Sequence, residues 1–194
     1  MRKILILFAH PRLENSRVNS RLIKAIPQEE NITFHDLYEV YPDFNVDIDY
    51  EKALLEKHEI VIWHHPFYWY SSPPLLKQWI DMVLEYGWAY GSGGKALEGK
   101  IVFNAITTGG DEEAYCEKGY NKYSIRQFMQ PFEQTANLCL MNYLPPFTVM
   151  GTHKMSDERI ENAATNYGRL LKVISNGDLD TERAKTFTYL NEIL

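Results

Sequence analysis

The residues best suited to chemistry begin near the N-terminus, in a polar segment at positions 10–20. His10, Ser16 and Arg17 lie in it, directly before a stretch whose apolar residues have helical spacing. The free amides and the positive dipole end of a helix start bind anions, and these side chains add further donors. The segment therefore predicts a phosphate site of neither the Gly-rich dinucleotide type nor the Walker type. The alternative is that Ser16 only caps the helix and His10 is an ordinary edge residue.

A second segment carries four consecutive aromatic residues between prolines: Phe67, Tyr68, Trp69 and Tyr70. Their flat faces and polar tips suit a planar aromatic ligand, because aromatic side chains form the walls of many small-molecule sites. A contact between two copies of the chain explains them equally well, since aromatic residues are also enriched at protein interfaces.

A third segment consists of Thr107, Thr108, Gly109 and Gly110, followed by acidic residues. Paired glycines let the backbone approach a ligand closely, and successive amides can form a concave nest that binds negative charge. Such a nest would stabilise a ring that becomes anionic on reduction. The alternative is an ordinary turn, which is what two adjacent glycines most often mark.

Two other kinds of site are disfavoured. With 20 Lys and Arg against 26 Asp and Glu, the net charge of −6 is unlike the basic surface that nucleic-acid binding requires. His64 and His65 resemble a metal pair, but neighbours on a strand point to opposite faces and no third ligand is spaced nearby. We therefore predict neither a nucleic-acid partner nor a bound metal.

The elements that position these segments alternate along the chain. Apolar runs predict five strands, at residues 4–8, 32–36, 60–63, 101–107 and 147–150. Helical spacing of apolar residues predicts five helices, at residues 18–26, 49–57, 76–84, 124–137 and 160–174. The first strand is apolar throughout, as a strand covered on both faces must be. The pattern predicts one doubly wound parallel α/β sheet with helices on both faces.

In such a sheet, ligands bind beyond the carboxyl ends of the strands, so the three segments should converge there. A phosphate cradle, an aromatic wall and an amide nest at one edge suit a flavin. We expect a flavin-binding domain over residues 1–176 and a helical C-terminal tail of unassigned role over residues 177–194. The first apolar run is too short for a signal peptide, and no window approaches a membrane span, which predicts a cytoplasmic protein.

Several short motifs occur in a specific order over about residues 3–175. They are AHP at 9–11 with Ser16 and Asn19, YPDFN at 41–45, HP at 65–66 with WYS at 69–71, PPLLK at 73–77 with WID at 79–81, GWAYG at 87–91, TTGG at 107–110 and LPPF at 144–147. In this order and spacing the chain resembles the quinone-reductase branch of the flavodoxin-like flavoproteins, the group of the DT-diaphorases. Within that branch it most resembles the bacterial NAD(P)H oxidoreductases that are ancillary proteins of glutathione-regulated potassium-efflux systems.

The resemblance implies a flavodoxin-like five-stranded sheet of order 2-1-3-4-5 and a bound flavin, FMN or else FAD. It implies that the flavin phosphate is held by His10, Ser16, Arg17, Val18 and Asn19. It further implies that the isoalloxazine ring is bordered by Pro66, Phe67, Tyr68, Trp69 and Tyr70, with residues 107–110 at its edge.

Tyr115 has the spacing of a tyrosine that helps to stabilise the reduced flavin in the diaphorases. Those enzymes carry a histidine where this chain has Asn121. Asparagine can donate a hydrogen bond but takes up no charge near neutral pH, so the chain departs from a Tyr-His proton relay. The residues expected nearest the chemistry are Tyr115, Asn121, Gly109 and Gly110.

The function implied by the resemblance is hydride transfer from NAD(P)H through the flavin to a quinone, in two steps at one shared place. It also implies a homodimer. Two other functions stay open. One is a flavin-bound regulatory subunit docked on a potassium-efflux antiporter at the cytoplasmic face of the inner membrane. The other is a flavodoxin-like carrier of single electrons.

Overall fold

The computed structural model describes residues 1–193, and at its centre lies a parallel sheet. The strands are β1 (Ile4–Phe8), β2 (Ile32–Asp36), β3 (Ile60–Pro66), β4 (Ile101–Thr107), β5 (Asn142–Tyr143) and β6 (Phe147–Val149). They are ordered β2-β1-β3-β4-β5, with β6 also paired to β4, and every pair is parallel. The predicted flavodoxin-like order 2-1-3-4-5 is confirmed.

The last position of the sheet holds two short strands where the sequence predicts one. β5 pairs with the start of β4, and β6 pairs with its end. Pro145 and Pro146 lie between them and have no amide proton for a ladder bond, so the pairing stops and then resumes. The predicted strand at residues 147–150 is the second of these two pieces.

β3 runs further than its apolar residues predict, because it continues through His64, His65 and Pro66. Both histidines are fully buried. The His64 ring packs edge-on against Tyr167, whereas the His65 ring stacks on Phe132. The two rings therefore have different neighbours, on opposite faces of the sheet.

The helices of the described residues are α1 (Arg17–Lys24), α2 (Leu37–Val40), α3 (Ile48–Lys57), α4 (Pro74–Val83), α5 (Ile125–Phe128), α6 (Gln130–Leu138), α7 (Asp157–Asn176) and α8 (Thr181–Ala184). The helix predicted at residues 124–137 is divided into α5 and α6 at Met129, two residues before Pro131 in the first turn of α6. α2 escapes prediction because four residues are too few to show a period. No helix within residues 1–193 combines the length and apolarity needed to cross a membrane.

Alternate residues of the strands belong to two separate hydrophobic cores, one on each face of the sheet. Leu5 and Leu7 point to the face covered by α4 and α6, and Ile4 and Ile6 point to the face covered by α1 and α7. A strand that is buried on both faces has to be apolar throughout, which explains the continuous run in β1. Helices cover both faces, and the carboxyl ends of the strands stay open.

Residues 178–193 pack onto this body. Leu190 and Ala184 are buried in the core beneath α7. Asn191 covers the free edge of β6: its Nδ2 donates to the Thr148 carbonyl and its Oδ1 accepts from the Thr148 amide, both at 2.9 Å. One side-chain amide thus pairs both backbone groups that an edge strand would expose. The regular structure of this tail is α8 and a 3-10 turn at Leu190–Ile193, and Leu194 lies outside the described residues.

Candidate functional site

A cleft runs along the edge where the carboxyl ends of β1, β3, β4 and β6 meet. One part has a volume of about 480 Å³ and is formed around residues 10–19; we call it the cradle end. The other part has a volume of about 740 Å³ and is formed around residues 109–121; we call it the aromatic end. The two parts share Phe67, Gly109 and His153.

Nearly all of the predicted site residues line this cleft. Those at the cradle end are His10, Ser16, Arg17, Val18, Asn19, Pro66, Phe67, Tyr68, Thr107 and Gly109. Those at the aromatic end are Phe67, Trp69, Tyr70, Gly109, Gly110, Tyr115 and Asn121. Thr108 is the exception, because it is buried behind the wall. The three segments therefore meet in one place.

The N-terminus of α1 opens onto the cradle end. Ser16 is its N-cap, and the Ser16 Oγ accepts the Asn19 amide at 3.2 Å. The amides of Arg17 and Val18 have no acceptor among residues 1–193, as expected for the first turn of a helix. These two protons and the helix dipole favour a bound anion.

Two basic side chains flank these amides. The His10 Nδ1 accepts the Arg12 amide at 3.1 Å, so the neutral ring carries its proton on Nε2. Burial lowers the pKa of His10, against the opposing influence of Glu14, and the neutral ring is thereby favoured. The Arg17 Nη2 donates to Asp157 Oδ1 at 2.8 Å, at the start of α7, which fixes the guanidinium at the rim.

Asn19 forms the floor of the cradle end. Its buried side chain donates from Nδ2 to the Ser16 Oγ and to the Thr107 Oγ1, both at 3.0 Å. Its Oδ1 lies 3.2 Å from the His64 Nε2. A single amide thus joins α1, β3 and β4 beneath the cleft and positions two hydroxyls that line it.

Residues 107–110 form the wall where the two ends join. The Thr108 amide donates to the Val149 carbonyl at 2.9 Å, and its hydroxyl donates to the Gly110 carbonyl at 2.7 Å. The amides of Gly109 and Gly110 have no acceptor within the described chain. Because β6 already binds the Thr108 amide, the nest expected from the sequence is reduced to these two glycine amides.

Neither glycine has a left-handed φ, so their importance lies in the space that a side chain would take. A Cβ on Gly109 would lie 2.4 Å from the His153 Nε2. A Cβ on Gly110 would lie 3.1 Å from the Tyr115 Cε2. A larger side chain at Gly110 would therefore fill the aromatic end beside Tyr115. Without one, a flat ligand can reach the two free amides.

Tyr68 and Ser71 close a tight turn whose tip is Trp69 and Tyr70. The amide of each closing residue donates to the other's carbonyl, at 3.1 and 2.9 Å. Trp69 and Tyr70 have φ values of +48° and +62°, a left-handed conformation that costs a non-glycine residue about 1–3 kcal/mol. Trp69 is also 93% exposed. A strained turn that presents a tryptophan at the mouth of a cleft indicates a binding function.

Packed aromatic rings lie behind this turn. Phe67 meets Tyr115 edge-on at a centroid distance of 5.9 Å, and Tyr70 stacks on Phe128 at 5.1 Å. Burial raises the pKa of Tyr115, so its hydroxyl stays protonated near neutral pH. The Tyr70 hydroxyl donates to the Asn121 Oδ1 at 3.2 Å. Asn121 therefore contacts the turn, from the position at which the resemblance to the diaphorases implies a histidine.

The loop after β6 contributes residues that the sequence prediction missed: Met150, Gly151, Thr152, His153 and Lys154. The prediction confined the site to the loops after the first, third and fourth strands. A histidine and a lysine directly after a predicted fifth strand were the available signal, since that strand ends at the same edge. The other missed lining residues are Arg12, Asn15, Asp111, Ala114, Tyr120 and Arg159.

The two ends differ in the ligand groups that they suit. The cradle end presents unpaired amides and hydroxyls, which bind an oxyanion. The aromatic end presents flat walls and two free amides, which suit a planar ring that gains negative charge. A molecule with a phosphate at one end and a planar ring at the other matches the whole cleft.

Known proteins give an independent comparison. The family described as having a flavodoxin-like fold matches residues 2–171. The Serratia proteamaculans protein named glutathione-regulated potassium-efflux system ancillary protein KefG is 45% identical over 170 residues, which are 88% of this chain and 93% of that one.

Two solved structures are also similar. General stress protein 14 of Treponema denticola, described in complex with FMN, has a TM-score of 0.84 and 40% identity over 89% of this chain and 99% of that one. An NADPH-quinone reductase from P. pentosaceus has a TM-score of 0.78 and 32% identity over 86% of this chain and 96% of that one. The observed fold and the length of these matches agree, and the chain belongs to the flavodoxin-like fold family.

Proposed function

We propose that this protein binds FMN in the cleft and transfers hydride from NAD(P)H to a quinone. The observation that carries this function is the continuity of the cleft, in which an anion cradle and an aromatic cavity share Phe67, Gly109 and His153. The Treponema denticola neighbour is described in complex with FMN, and the P. pentosaceus neighbour as an NADPH-quinone reductase, which supports the same cofactor and reaction class.

The residues present fit FMN at both ends. At the cradle end, the amides of Arg17 and Val18 and the hydroxyl of Ser16 are donors with no acceptor within residues 1–193, as a phosphate group requires. At the aromatic end, the amides of Gly109 and Gly110 have no acceptor within the described chain, and neither residue has a side chain to cover them. When bound, FMN supplies a ring that takes up a hydride and gives it to a second substrate.

The chain's own residues orient that ring and stabilise its charge. The amides of Gly109 and Gly110 donate where negative charge develops. The Tyr115 hydroxyl, whose pKa burial raises further above neutral pH, adds a donor beside them. Tyr68 lines the cradle end and Trp69 lines the aromatic end, where they would shield a bound ring from water. No side chain is required as a general base.

NAD(P)H and the quinone would occupy the same place in turn, within the aromatic end. This order gives ping-pong kinetics, because the first product leaves before the second substrate enters. Initial rates measured with varied NADPH at several fixed menadione concentrations should give parallel double-reciprocal lines. Intersecting lines would contradict a shared place.

The cofactor is tested by denaturing the purified protein and identifying the yellow compound that is released. FMN is expected, and FAD would show that the cradle end accepts a diphosphate. A colourless protein that takes up neither compound on reconstitution would refute the proposed function.

The active form is a homodimer whose interface borders the mouth of the aromatic end. Trp69 is 93% exposed and Tyr120 is 87% exposed, and both line this mouth. Clustered exposed aromatics are typical of protein interfaces. Sedimentation of the wild type should give a dimer, and Trp69→Ala should weaken it. A monomeric wild type at micromolar concentration would contradict the assembly.

The Serratia proteamaculans relative favours a second function, because its name describes an ancillary protein of a potassium-efflux system. The FMN-loaded protein would then dock, at the cytoplasmic face of the inner membrane, on an antiporter. Co-purification with the cytoplasmic domain of such an antiporter would support this function. Robust turnover of NADPH and menadione by the isolated protein would support the first one, and the two functions are compatible.

A further inference from the structure

A chain of buried hydrogen bonds lies beneath the cradle end. The Tyr167 hydroxyl is 3.2 Å from His64 Nδ1, and His64 Nε2 is 3.2 Å from Asn19 Oδ1. The Asn19 Nδ2 continues the chain to the hydroxyls of Ser16 and Thr107, at 3.0 Å each. The chain thus links α7, on one face of the sheet, to two side chains that line the cleft.

Tyr167 sets the direction of the first hydrogen bond. Its side chain is fully buried, and His64 Nδ1 is the only hydrogen-bond partner of its hydroxyl among residues 1–193. A buried hydroxyl proton without an acceptor is costly, so Tyr167 donates and Nδ1 accepts. Burial lowers the pKa of His64 to about 3, and the neutral ring therefore carries its single proton on Nε2.

This tautomer determines which way the Asn19 amide faces. The Nε2 proton of His64 needs an acceptor, which is the Asn19 Oδ1. The amide NH₂ group is then turned toward the cleft, where one proton binds Ser16 and the other binds Thr107. In the reverse orientation, the Asn19 oxygen would accept from both hydroxyls and would leave them no proton for a ligand.

The hydroxyls of the cradle end are thereby made donors toward the cleft. The Ser16 Oγ accepts both the amide and the Nδ2 of Asn19, so both of its lone pairs are used and only its proton is free. The Thr107 Oγ1 also accepts from Asn19 and keeps its proton. A group with oxygen acceptors and no donor, such as a phosphate dianion, is the complementary ligand.

We infer that His64 and Tyr167 are positioning residues that set the donor polarity of the cradle end and so favour the phosphate of FMN over the neutral hydroxyl of riboflavin. This inference rests on the proposed function. Neither residue lines the cleft within the described chain, and both act through Asn19. Their effect should therefore be confined to the phosphate and should leave the binding of the ring unchanged.

The test compares the dissociation constants of FMN and riboflavin, measured by quenching of flavin fluorescence on the apoprotein. His64→Leu removes both hydrogen bonds of the ring. It should raise the dissociation constant of FMN about tenfold and change that of riboflavin by less than about twofold. His64→Gln again offers an amide donor and a carbonyl acceptor, and it should restore FMN binding to within about twofold of the wild type. A variant that damages the fold in general would weaken the binding of both flavins equally.

Tyr167→Phe keeps the packing of the ring and removes only the hydroxyl, so it is the variant to use if His64→Leu does not fold. It should raise the dissociation constant of FMN about threefold and leave that of riboflavin unchanged, because the Tyr167 hydroxyl no longer determines the His64 tautomer. Three results would overturn this inference and leave the proposed function standing. They are equal losses of affinity for both flavins, an unchanged preference for FMN in both His64→Leu and Tyr167→Phe, and failure of His64→Gln to restore that preference. A wild type that binds neither flavin would overturn the proposed function as well.

Discussion

The two ends of the cleft owe their geometry to different forces. At the cradle end, the hydroxyls of Ser16 and Thr107 are held by the buried amide of Asn19. At the aromatic end, Trp69 and Tyr70 lie on an exposed turn with left-handed backbone conformations. Buried hydrogen bonds hold the first end, whereas a strained turn with two closing backbone bonds holds the second.

This difference fits the two kinds of ligand that we propose for the cleft, a cofactor that stays bound and substrates that exchange. A resident phosphate binds once, and donors already fixed in position reduce the cost of ordering the site. Substrates that enter and leave at every turnover need a wall that can admit them, and local strain is found where such function outweighs stability. The comparison predicts that the loss of one hydrogen-bonding side chain will cost more stability at the cradle end than at the aromatic end.

The largest effect is expected from filling the aromatic end. In Gly110→Val the new Cβ would lie 3.1 Å from Tyr115 Cε2 and 3.4 Å from the Ala114 Cβ, and two further methyl groups would occupy the space beside the free amides. We expect FMN to bind about a thousandfold more weakly, which is about 4 kcal/mol. Flavin titration measures this, and Gly110→Ala should give an intermediate loss. Wild-type affinity in Gly110→Val would show that the ring lies elsewhere.

The second effect is acid sensitivity caused by the two buried histidines of β3. Burial lowers the pKa of His64 to about 3 and that of His65 to about 4. The unfolded chain takes up these protons near pH 6.5, so the folded state binds fewer protons below that pH and becomes less stable as the pH falls toward 4. Each histidine contributes a slope of up to about 1.4 kcal/mol per pH unit.

Urea unfolding of the wild type and of His64→Gln between pH 7 and pH 4.5 measures this slope. The variant should lose the contribution of one histidine, and its stability should fall less steeply. Parallel pH profiles for the two proteins would show that His64 is not held neutral by burial.

The third prediction compares one hydrogen-bonding side chain from each end. Asn19→Ala should lower the free energy of unfolding by about 2 kcal/mol, because it leaves the buried His64 Nε2 proton without an acceptor. Tyr70→Phe removes the hydrogen bond from a half-exposed hydroxyl to Asn121, and it should change the free energy of unfolding by less than about 0.5 kcal/mol. Chemical denaturation gives both values. Equal losses would remove the contrast between the two ends.

The smallest effect is a gain in stability at the turn. Trp69→Asn should stabilise the dissociated single subunit by about 1 kcal/mol, because asparagine tolerates a left-handed φ and the indole, exposed in the single subunit, loses little packing. Quinone reduction should decrease in the same variant, since the wall of the aromatic end is lost. Trp69→Ala is the matched control: it removes the ring without favouring the turn and should give no gain. A destabilised Trp69→Asn would show that the indole supports the fold.

The strands and the three site segments were accessible to sequence analysis because each depends on neighbouring residues. β1 was predicted at its observed bounds, since its apolar run ends at a polar segment. The division of the last strand was missed because the pattern of residues 147–150 does not reveal that Asn142 and Tyr143 pair with the same neighbour. The loop after β6 was missed because the site was assigned to three strand ends and a fourth reaches the same edge.

Local chemistry alone was sufficient to identify a helix start suited to anions, a run of aromatics and a pair of glycines, because residue type and spacing encode helix ends and turns. The links among them arise only on folding. Asn19 contacts Thr107 and His64, which are far away along the chain, and His64 in turn meets Tyr167. The direction of those hydrogen bonds depends on which groups are buried together, and burial is a property of the packed sheet and its helices.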